Sequence, residues 1–474
     1  MNALRPKYSV GGKQGSVLVA VLWCLAILFV LVVGILHTSR LDLTVTKRYT
    51  DRIRAHYLAE AGIEKAKALV FEDARNRTRN GKNHTGEMYN APANFKDIAW
   101  GPGQFTVARR GSSEEGGSVI YGVTDEESRL NVNYASITNL ASLYGMTPDL
   151  AAAIVDWRDS DNEPSPGGAE LDYYASLAPP RRPRNGYFET VRELLMVRGM
   201  SRDQLLGSDK DFNGQIPEPD ETEPSHDQPE PGWAELLTVH SRNDNVSAAG
   251  TDRINIQTAD EKTLAGLPGL NQEIARAIVS YRSRREFQNI TDLLDVVAAP
   301  PQSQDAGGGP QTAGGSPTAP GTVQQRAGPG QQPGPQTPGE SSGARVISQS
   351  MFMEIADDVT VKDDQTLPGL MNVNTASREA LICLPGITRE MASKIIALRQ
   401  SGGYFQNIAE LLKVTGITPD LLKQLEPRIT TRSETYRIFS EGIVKSTGAR
   451  QRIEETVHIG LNDVTTLAFR ERDL

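Results

Sequence analysis

Carboxylates are concentrated in one short stretch of the sequence, DSDNEPSPGGAELD, which begins at Asp159. Asp159, Asp161 and Glu163 stand two residues apart in a loop that contains Pro and Gly, and Glu170 and Asp172 follow. Clustered carboxylate oxygens are the ligands that a hard cation such as Ca²⁺ prefers, although the twelve-residue order of an EF-hand is absent. From the residues alone two interpretations are open, a Ca²⁺ site and a solvated acidic loop.

Other reactive constellations have little support in this sequence of 474 residues. There is no HExxH zinc motif, and no Gly-rich loop precedes a Lys-Ser or Lys-Thr pair. The two cysteines, Cys24 and Cys383, are too few for a disulfide framework or a cysteine-rich metal centre. The pattern predicts that the protein is not an enzyme, and its net charge of −9 gives nucleic acid no general attraction.

Three internal repeats align without gaps, and the acidic stretch directly follows the first of them. They cover residues 130–158, 254–282 and 371–399, and each has a central glycine fourteen residues after its first Asn, namely Gly145, Gly269 and Gly386. The glycine marks a tight turn between two segments of helical periodicity. A Phe and then an acid-Leu-Leu triplet follow every repeat, and the first repeat alone carries an insertion before its Phe, which contains the acidic stretch.

These units resemble helix-hairpin-helix motifs, and LPGL (267–270) and LPGI (384–387) match the hairpin well. That superfamily implies two roles, protein packing and binding of DNA phosphate through backbone N–H groups. Net charges of −3, 0 and +2 over residues 131–206, 253–297 and 372–428 weigh against nucleic acid, because phosphate binding depends on basic side chains.

The N-terminal region predicts one membrane-spanning helix. Residues 16–36 carry no charge and would span about 32 Å as a helix, against about 30 Å of hydrocarbon. Residues 1–15 contain three basic residues and no acid, which predicts a cytoplasmic N-terminus and a chain that crosses the inner membrane once. Helical periodicity continues to about residue 70, so a long helix that is apolar first and amphipathic later is expected. A cleaved secretory signal and a plain anchor are the alternatives.

Gly15 followed by Ser16 and an apolar helix resembles the processing site of type IV pilin-like proteins, and HYLAEAG (56–62) is most similar to the minor pseudopilin K family of type II secretion systems. The resemblance implies cleavage by a prepilin peptidase after Gly15 and N-methylation of Ser16. It also implies that Asp159, Asp161, Glu163, Glu170 and Asp172 bind Ca²⁺, although Leu171 stands where that family often has an acid.

A further departure concerns the fifth position of the mature chain. Major pilins have a glutamate there, which neutralises the terminal amine of a neighbouring subunit, but this chain has Ala20. A subunit with nothing above it has no such amine to pair, and the pseudopilin K family shares the absence. Ala20 is therefore consistent with a subunit at the tip of the fibre.

The predicted fold class is α+β, with a long N-terminal helix packed on a pilin-like antiparallel sheet and an inserted all-α domain of helix-hairpin-helix-like repeats. The expected division is a leader (1–15), the N-terminal helix (16–72), the first part of the sheet (73–129), repeat one (130–206), an acidic linker (207–232), repeat two (233–298), a disordered Gly/Pro/Gln linker (299–343), repeat three (344–430) and the C-terminal strands (431–474).

The resulting hypothesis is a minor pseudopilin that caps the tip of a periplasmic pseudopilus and helps to initiate its assembly for protein secretion. The resemblance implies I- and J-type minor pseudopilins, the pseudopilus and the prepilin peptidase as partners, with the secretin or the secreted cargo facing the helical domain. The alternative is a membrane-anchored DNA-uptake protein that uses the hairpins.

Overall fold

The structure, a computed structural model, describes residues 14–83, 86–116, 119–207, 232–298, 344–461 and 463–472. Most of the predicted leader, the acidic linker apart from its two end residues and the whole Gly/Pro/Gln linker lie outside the described residues. The α-helices are α1 (Gln14–Asn80), α2 (Pro92–Phe95), α3 (Ile137–Ala141), α4 (Pro148–Arg158), α5 (Leu171–Ala175), α6 (Arg202–Leu206), α7 (Glu261–Ala265), α8 (Gln272–Arg282), α9 (Gln349–Ile355), α10 (Arg378–Ile382), α11 (Arg389–Gly402) and α12 (Pro419–Leu425).

The strands differ greatly in length, and the long ones come from the C-terminal end of the chain. They are β1 (Ile98–Trp100), β2 (Gly103–Val107), β3 (Arg109–Arg110), β4 (Val119–Ile120), β5 (Thr124–Asp125), β6 (Leu130–Asn131), β7 (Leu237–Thr238), β8 (Arg242–Asp244), β9 (Ile254–Asn255), β10 (Val359–Thr360), β11 (Thr366–Pro368), β12 (Met371–Asn372), β13 (Ile429–Thr430), β14 (Thr435–Val444), β15 (Ala449–Ile459) and β16 (Val464–Arg472).

Helix α1 has two halves with different surroundings. From Val17 to Tyr49 its side chains are exposed, and the described residues contain one helix, this one, that is long and apolar enough to cross a membrane. From Ala55 onward one face is buried, with Ala59, Ile63 and Ala66 among its core residues. This change from an exposed to a half-buried helix follows the sequence. In the second half of α1 the apolar residues recur at helical spacing with charged residues between them, so only one face of the helix can be buried.

The buried face of α1 packs on an antiparallel sheet in the order β1-β2-β14-β15-β16, and β5 pairs with the start of β14. Strands β14 and β15 form a hairpin in which Thr435 lies opposite His458 and Val444 opposite Ala449. At Gly442 the helix comes so close that a Cβ would collide with the carbonyl oxygen of Ala55. Strands from before and after the helical domain thus share one sheet, and the predicted α+β fold with an inserted α-domain is confirmed.

Each repeat is closed by a short parallel strand pair. Strand β6 pairs with β7, β9 with β10 and β12 with β13. Along the chain, residues 207–232 come between β6 and β7, and residues 299–343 come between β9 and β10. Segments 232–238 and 344–360 therefore complete the repeat that precedes them and do not begin the next one. One continuous hydrophobic cluster joins the three repeats, and a second lies between α1 and the sheet.

Candidate metal site in the acidic insertion

The acidic insertion leaves repeat one at the end of α4. Thr147 caps this helix by accepting a hydrogen bond from the Leu150 N–H at 3.2 Å, and Pro148 stands at its first position, where a missing N–H costs nothing. Asp156 lies in its last turn and Asp159 at its C-terminal cap. The chain returns at Glu170, the N-cap of α5, whose side chain makes no capping hydrogen bond.

Three carboxylates meet between these two helix ends. Ligand oxygens of Asp156, Asp159 and Glu170 all lie within 4.8 Å of one another. Asp156 is fully buried and accepts hydrogen bonds of 3.2 Å from the Ser165 N–H, whereas both oxygens of Glu170 and Oδ1 of Asp159 are buried without a hydrogen-bond partner among the described residues. Gly168 lies against Asp156 so closely that a Cβ there would collide with the carboxylate.

Burial and mutual repulsion raise the pKa values of two of these carboxyl groups. Burial raises the pKa of Glu170 to about 7, and the charges of Asp159, Asp156 and Asp161 add to the effect. The pKa of Asp159 is also raised, first by burial and then by Asp161 and Asp156. Buried carboxylates without partners are costly, and a cation among them would relieve both the repulsion and the unmet hydrogen bonding.

The donor set fits a hard cation, because all of its ligand atoms are carboxylate oxygens and Ca²⁺ takes six to eight oxygens, several of them from water. Of the predicted ligands, Asp159 and Glu170 belong to the group of three. Asp161, Glu163 and Asp172 are exposed and lie outside it, and Asp161 instead accepts a hydrogen bond of 2.8 Å from the Glu163 N–H.

Sequence reasoning missed Asp156, which belongs to the repeat helix rather than to the acidic stretch. The available signal was its spacing, because residues three apart in a helix share a face and Asp156 precedes Asp159 by three.

Aromatic side chains hold the insertion against repeat one. The rings of Trp157 and Tyr174 meet edge to face with centroids 5.0 Å apart. Trp157 donates from Nε1 to Glu193 Oε1 at 3.1 Å, and the Tyr174 hydroxyl accepts from the Arg198 N–H at 3.1 Å. These contacts fix the end of α4 and the start of α5, the two elements that carry the carboxylates.

The three hairpins have the backbone that the sequence predicts. Gly145, Gly269 and Gly386 have φ values of +73°, +73° and +71°, which only glycine adopts without strain. Each repeat ends in an arginine, and its side chain turns back to the residue that directly follows the repeat's first strand. Arg282 donates to the Ile256 carbonyl at 2.9 Å and Arg399 to the Val373 carbonyl at 2.7 Å, and Arg158 makes the equivalent bond to Val132.

Protein groups lie beside two of the hairpins, whose turn glycines are themselves exposed. At the third, Asn139 of repeat one donates to the Cys383 carbonyl at 2.7 Å, and a Cβ on Gly386 would meet the Leu421 side chain. At the second, the Glu354 carboxylate lies 3.2 Å from where a Cβ of Gly269 would stand. An acid beside one hairpin and a packed neighbour beside another are unfavourable to DNA phosphate.

The predicted processing residues lie in the first turn of α1, which begins at Gln14. Gly15 and Ser16 are helical, and the residues before Gln14 lie outside the described part of the chain. Ala20 is exposed on the apolar half of the helix.

Two family models match this chain. The model for the type II secretion system (T2SS), protein K, matches residues 122–206, which include repeat one and its acidic insertion. The model for the helix-hairpin-helix motif matches residues 250–302 and 369–430, which contain the second and third repeats.

Similar curated proteins include two called type II secretion system protein K. The one from Pectobacterium carotovorum subsp. carotovorum is 28% identical over 200 residues, 40% of this chain and 60% of that protein. The one from Pseudomonas aeruginosa is 23% identical over 304 residues, 60% of this chain and 76% of that protein. Endonuclease/exonuclease/phosphatase family domain-containing protein 1 from Danio rerio is 27% identical over 194 residues, 40% of this chain and 29% of that protein.

Among solved structures, a chain of the GspK-GspI-GspJ complex from the enterotoxigenic Escherichia coli Type 2 Secretion System aligns with 90% of this chain and 99% of its own length, at 10% identity and a TM-score of 0.40. The alignment with the first of the relatives above spans 60% of that relative's length. The similarity to protein K that the sequence predicted is confirmed by the family model and by the two relatives of that name.

Proposed function

We propose that this chain, which is similar to type II secretion system protein K, works as a minor pseudopilin. The observation that carries the proposal is the structure of α1 together with a family match. Helix α1 is apolar and exposed in its first half and packs on an antiparallel sheet in its second, and the protein K model matches residues 122–206, the first part of the domain inserted in that sheet. Exposed apolar surface of this size needs a membrane or other apolar helices to cover it.

The finer proposal is a subunit that caps the tip of a periplasmic pseudopilus and helps to start its assembly. Its α1 would be anchored in the inner membrane, with the N-terminus in the cytoplasm, and would pack with helices of I- and J-type minor pseudopilins. Ala20 supports the tip position, because a subunit with no neighbour above it needs no acid there. The inserted domain supports it also, since a head of three joined repeats would obstruct addition of a further subunit.

The proposal includes Ca²⁺ bound by Asp156, Asp159 and Glu170. When present, the ion would supply positive charge that pairs the three carboxylates and fixes the insertion to the end of α4. Its role is structural, since the proposed function is assembly rather than catalysis. The secretin or the secreted cargo would then meet a head of fixed shape.

A DNA-uptake role is the less favoured alternative. Glu354 lies beside the second hairpin, Asn139 bonds to the third, and repeat one has a net charge of −3 over residues 131–206. Salt-sensitive binding of duplex DNA by the full chain in detergent would support this alternative instead.

Processing gives the direct test of the pseudopilin proposal. In a cell with a prepilin peptidase and the secretion machinery, N-terminal sequencing of the mature chain should begin at Ser16. Gly15→Ala should leave the leader attached and abolish secretion, whereas Gly34→Ala, at a site with nothing within 4 Å of the added Cβ, should be processed normally. A mature chain that begins at Met1, or after Leu36, contradicts the proposal.

A further inference from the structure

A second group of side chains with metal-binding chemistry lies where the inserted domain meets the sheet. Asp244 ends β8, Glu434 immediately precedes β14 and His458 lies near the end of β15. Their ligand atoms all lie within 4.8 Å of one another. The sheet register explains half of this arrangement, because Thr435 pairs with His458 and the Ile459 N–H donates to the Glu434 carbonyl at 2.7 Å. The Asp244 N–H then donates to Glu434 Oε2 at 2.6 Å and brings the inserted domain to the same point.

His458 is the unexplained member of this group. Its side chain is 1% exposed, and neither ring nitrogen has a hydrogen-bond partner among the described residues. A buried imidazole whose two nitrogens have no hydrogen-bond partner is costly, and a metal ion bound at one of them would remove part of that cost.

Glycine keeps the space beside the imidazole free. A Cβ at Gly460 would lie 2.6 Å from Oδ1 of Asp463, 3.2 Å from Oδ2 of Asp244 and 3.6 Å from Nε2 of His458. Three ligand atoms from three segments thus surround one position next to the Gly460 backbone. Asp463 is exposed and Asp244 is half-buried, so the position has access to solvent.

The charged side chains around this position leave one carboxylate oxygen of Glu434 without a hydrogen bond among the described residues. Glu434 has its Oε1 3.7 Å from Nη2 of Arg77, at ion-pair distance but without a hydrogen bond. Arg242 and Arg432 are the other nearby cations, and the carboxylates of Asp244, Glu434 and Asp463 face them. Oε1 of Glu434 still has no hydrogen-bond partner among the described residues, and a cation beside it would pair with that oxygen.

We propose that Asp244, Glu434 and His458 bind a divalent transition-metal ion, with Zn²⁺ as the best fit, and that Asp463 or water completes the coordination. One imidazole nitrogen with carboxylate oxygens is a donor set that suits zinc, whereas calcium takes oxygen ligands alone. Nε2 of His458 and Oδ1 of Asp244 are 3.9 Å apart, and ligand atoms of tetrahedral zinc lie about 3.4 Å apart, so this pair needs only a small closure.

The ion would join the inserted domain, which forms the head, to the stem formed by α1 and the sheet. Asp244 ends β8, which lies between the first and second repeats of the inserted domain. Glu434 and His458 lie in the stem, directly before β14 and within β15, and Arg77 beside them lies in the last turn of α1. Metal binding to the folded chain stabilises it, and here the stabilised contact is the junction between head and stem. The proposal is independent of the pseudopilin function.

The test uses the full chain in detergent after removal of metals with a chelator. Zn²⁺ should bind at this site with a one-to-one stoichiometry and raise the melting temperature, and Co²⁺ in its place should show the visible absorption of a nitrogen- and oxygen-ligated ion. Loss of a residue that hydrogen-bonds a metal ligand weakens metal binding by about 10- to 100-fold. His458→Gln removes a ligand itself and should weaken Zn²⁺ binding by more than that. Asp244→Asn, at a half-exposed side chain that should leave the fold intact, should weaken binding likewise.

Two controls separate this site from other zinc binding. His240→Gln removes another histidine, half-buried and outside the group, and should leave Zn²⁺ affinity unchanged. Glu170→Gln should remove the response to Ca²⁺ and keep the response to Zn²⁺, whereas Asp244→Asn should do the reverse. Zn²⁺ affinity that is equal in the unaltered chain and in Asp244→Asn overturns the proposal, as does a Co²⁺ spectrum that His458→Gln and Asp244→Asn leave unchanged.

Discussion

Glu170 is the residue on which the calcium proposal depends most directly. It is 3% exposed, neither of its oxygens has a hydrogen-bond partner among the described residues, and its pKa is raised to about 7. An acid whose folded pKa lies above its ordinary value of 4.5 favours folding while it is protonated. In the ion-free chain this stability is fully present below about pH 4.5 and is lost as the pH rises through about 7.

Calcium and protons should therefore compete at Glu170. The Ca²⁺-dependent rise in melting temperature should be several degrees at about pH 8 and clearly smaller at about pH 5.5, because protonated Glu170 binds no cation. Glu170→Gln should lose most of the rise at both pH values. Glu163→Gln removes an exposed acid from the same loop and should behave like the unaltered chain. An equal loss in both variants would indicate general screening by the loop's charge rather than a site.

The hairpin is the element that the sequence described best. A glycine fourteen residues after an Asn predicted three turns, and the glycine of each turn has a positive φ. The equivalent arginines bond to equivalent carbonyls 26 residues earlier. What the repeats could not predict is their closure, because β7, β10 and β13 are two-residue strands too short for a periodic signal. Such pairings are decided by the packing of whole units.

The hairpins should differ in their tolerance of a side chain. A Cβ at Gly145 meets nothing within 4 Å, so Gly145→Ala pays only for the left-handed backbone, about 1–2 kcal/mol. At Gly386 the same Cβ would lie 2.5 Å from the Leu421 side chain, and Gly386→Ala should lower the melting temperature further. Gly145→Asn is the control for the backbone cost, since Asn adopts this conformation more readily. Equal losses at Gly145 and Gly386 would mean that Leu421 moves away freely.

The whole molecule is a stem with a head inserted in its sheet, and hydrogen bonds between side chains and backbone of the two parts hold them together. Asn83, just after α1, donates from Nδ2 to the carbonyls of Phe405 and Gln406 of repeat three at 3.2 and 3.0 Å, and Asp125 of β5 accepts from Nδ2 of Asn372 at 3.1 Å. The sequence predicted the stem, the head and their connectivity, because strand character stood on both sides of the repeats. It could not predict the residues of this junction, since Asp244, Glu434 and His458 come together only through the sheet register and the docking of the head.

The exposed half of α1 gives the last prediction, which concerns assembly. Cys24 lies on this apolar surface, whereas Cys383 is fully buried and burial raises its pKa to about 12, so Cys383 should be inert to thiol reagents in the folded chain. In membranes that contain this chain alone, a chain with Cys24→Ser and Leu43→Cys should be labelled by a maleimide, because position 43 is exposed and lies beyond residues 16–36, where water can reach the thiol. Cys24→Ser alone is the control and should not be labelled. Co-expression of I- and J-type minor pseudopilins should reduce labelling at position 43, because their helices would pack against α1. Labelling that the partner pseudopilins do not change would contradict a helical bundle at this position and leave α1 as an anchor only.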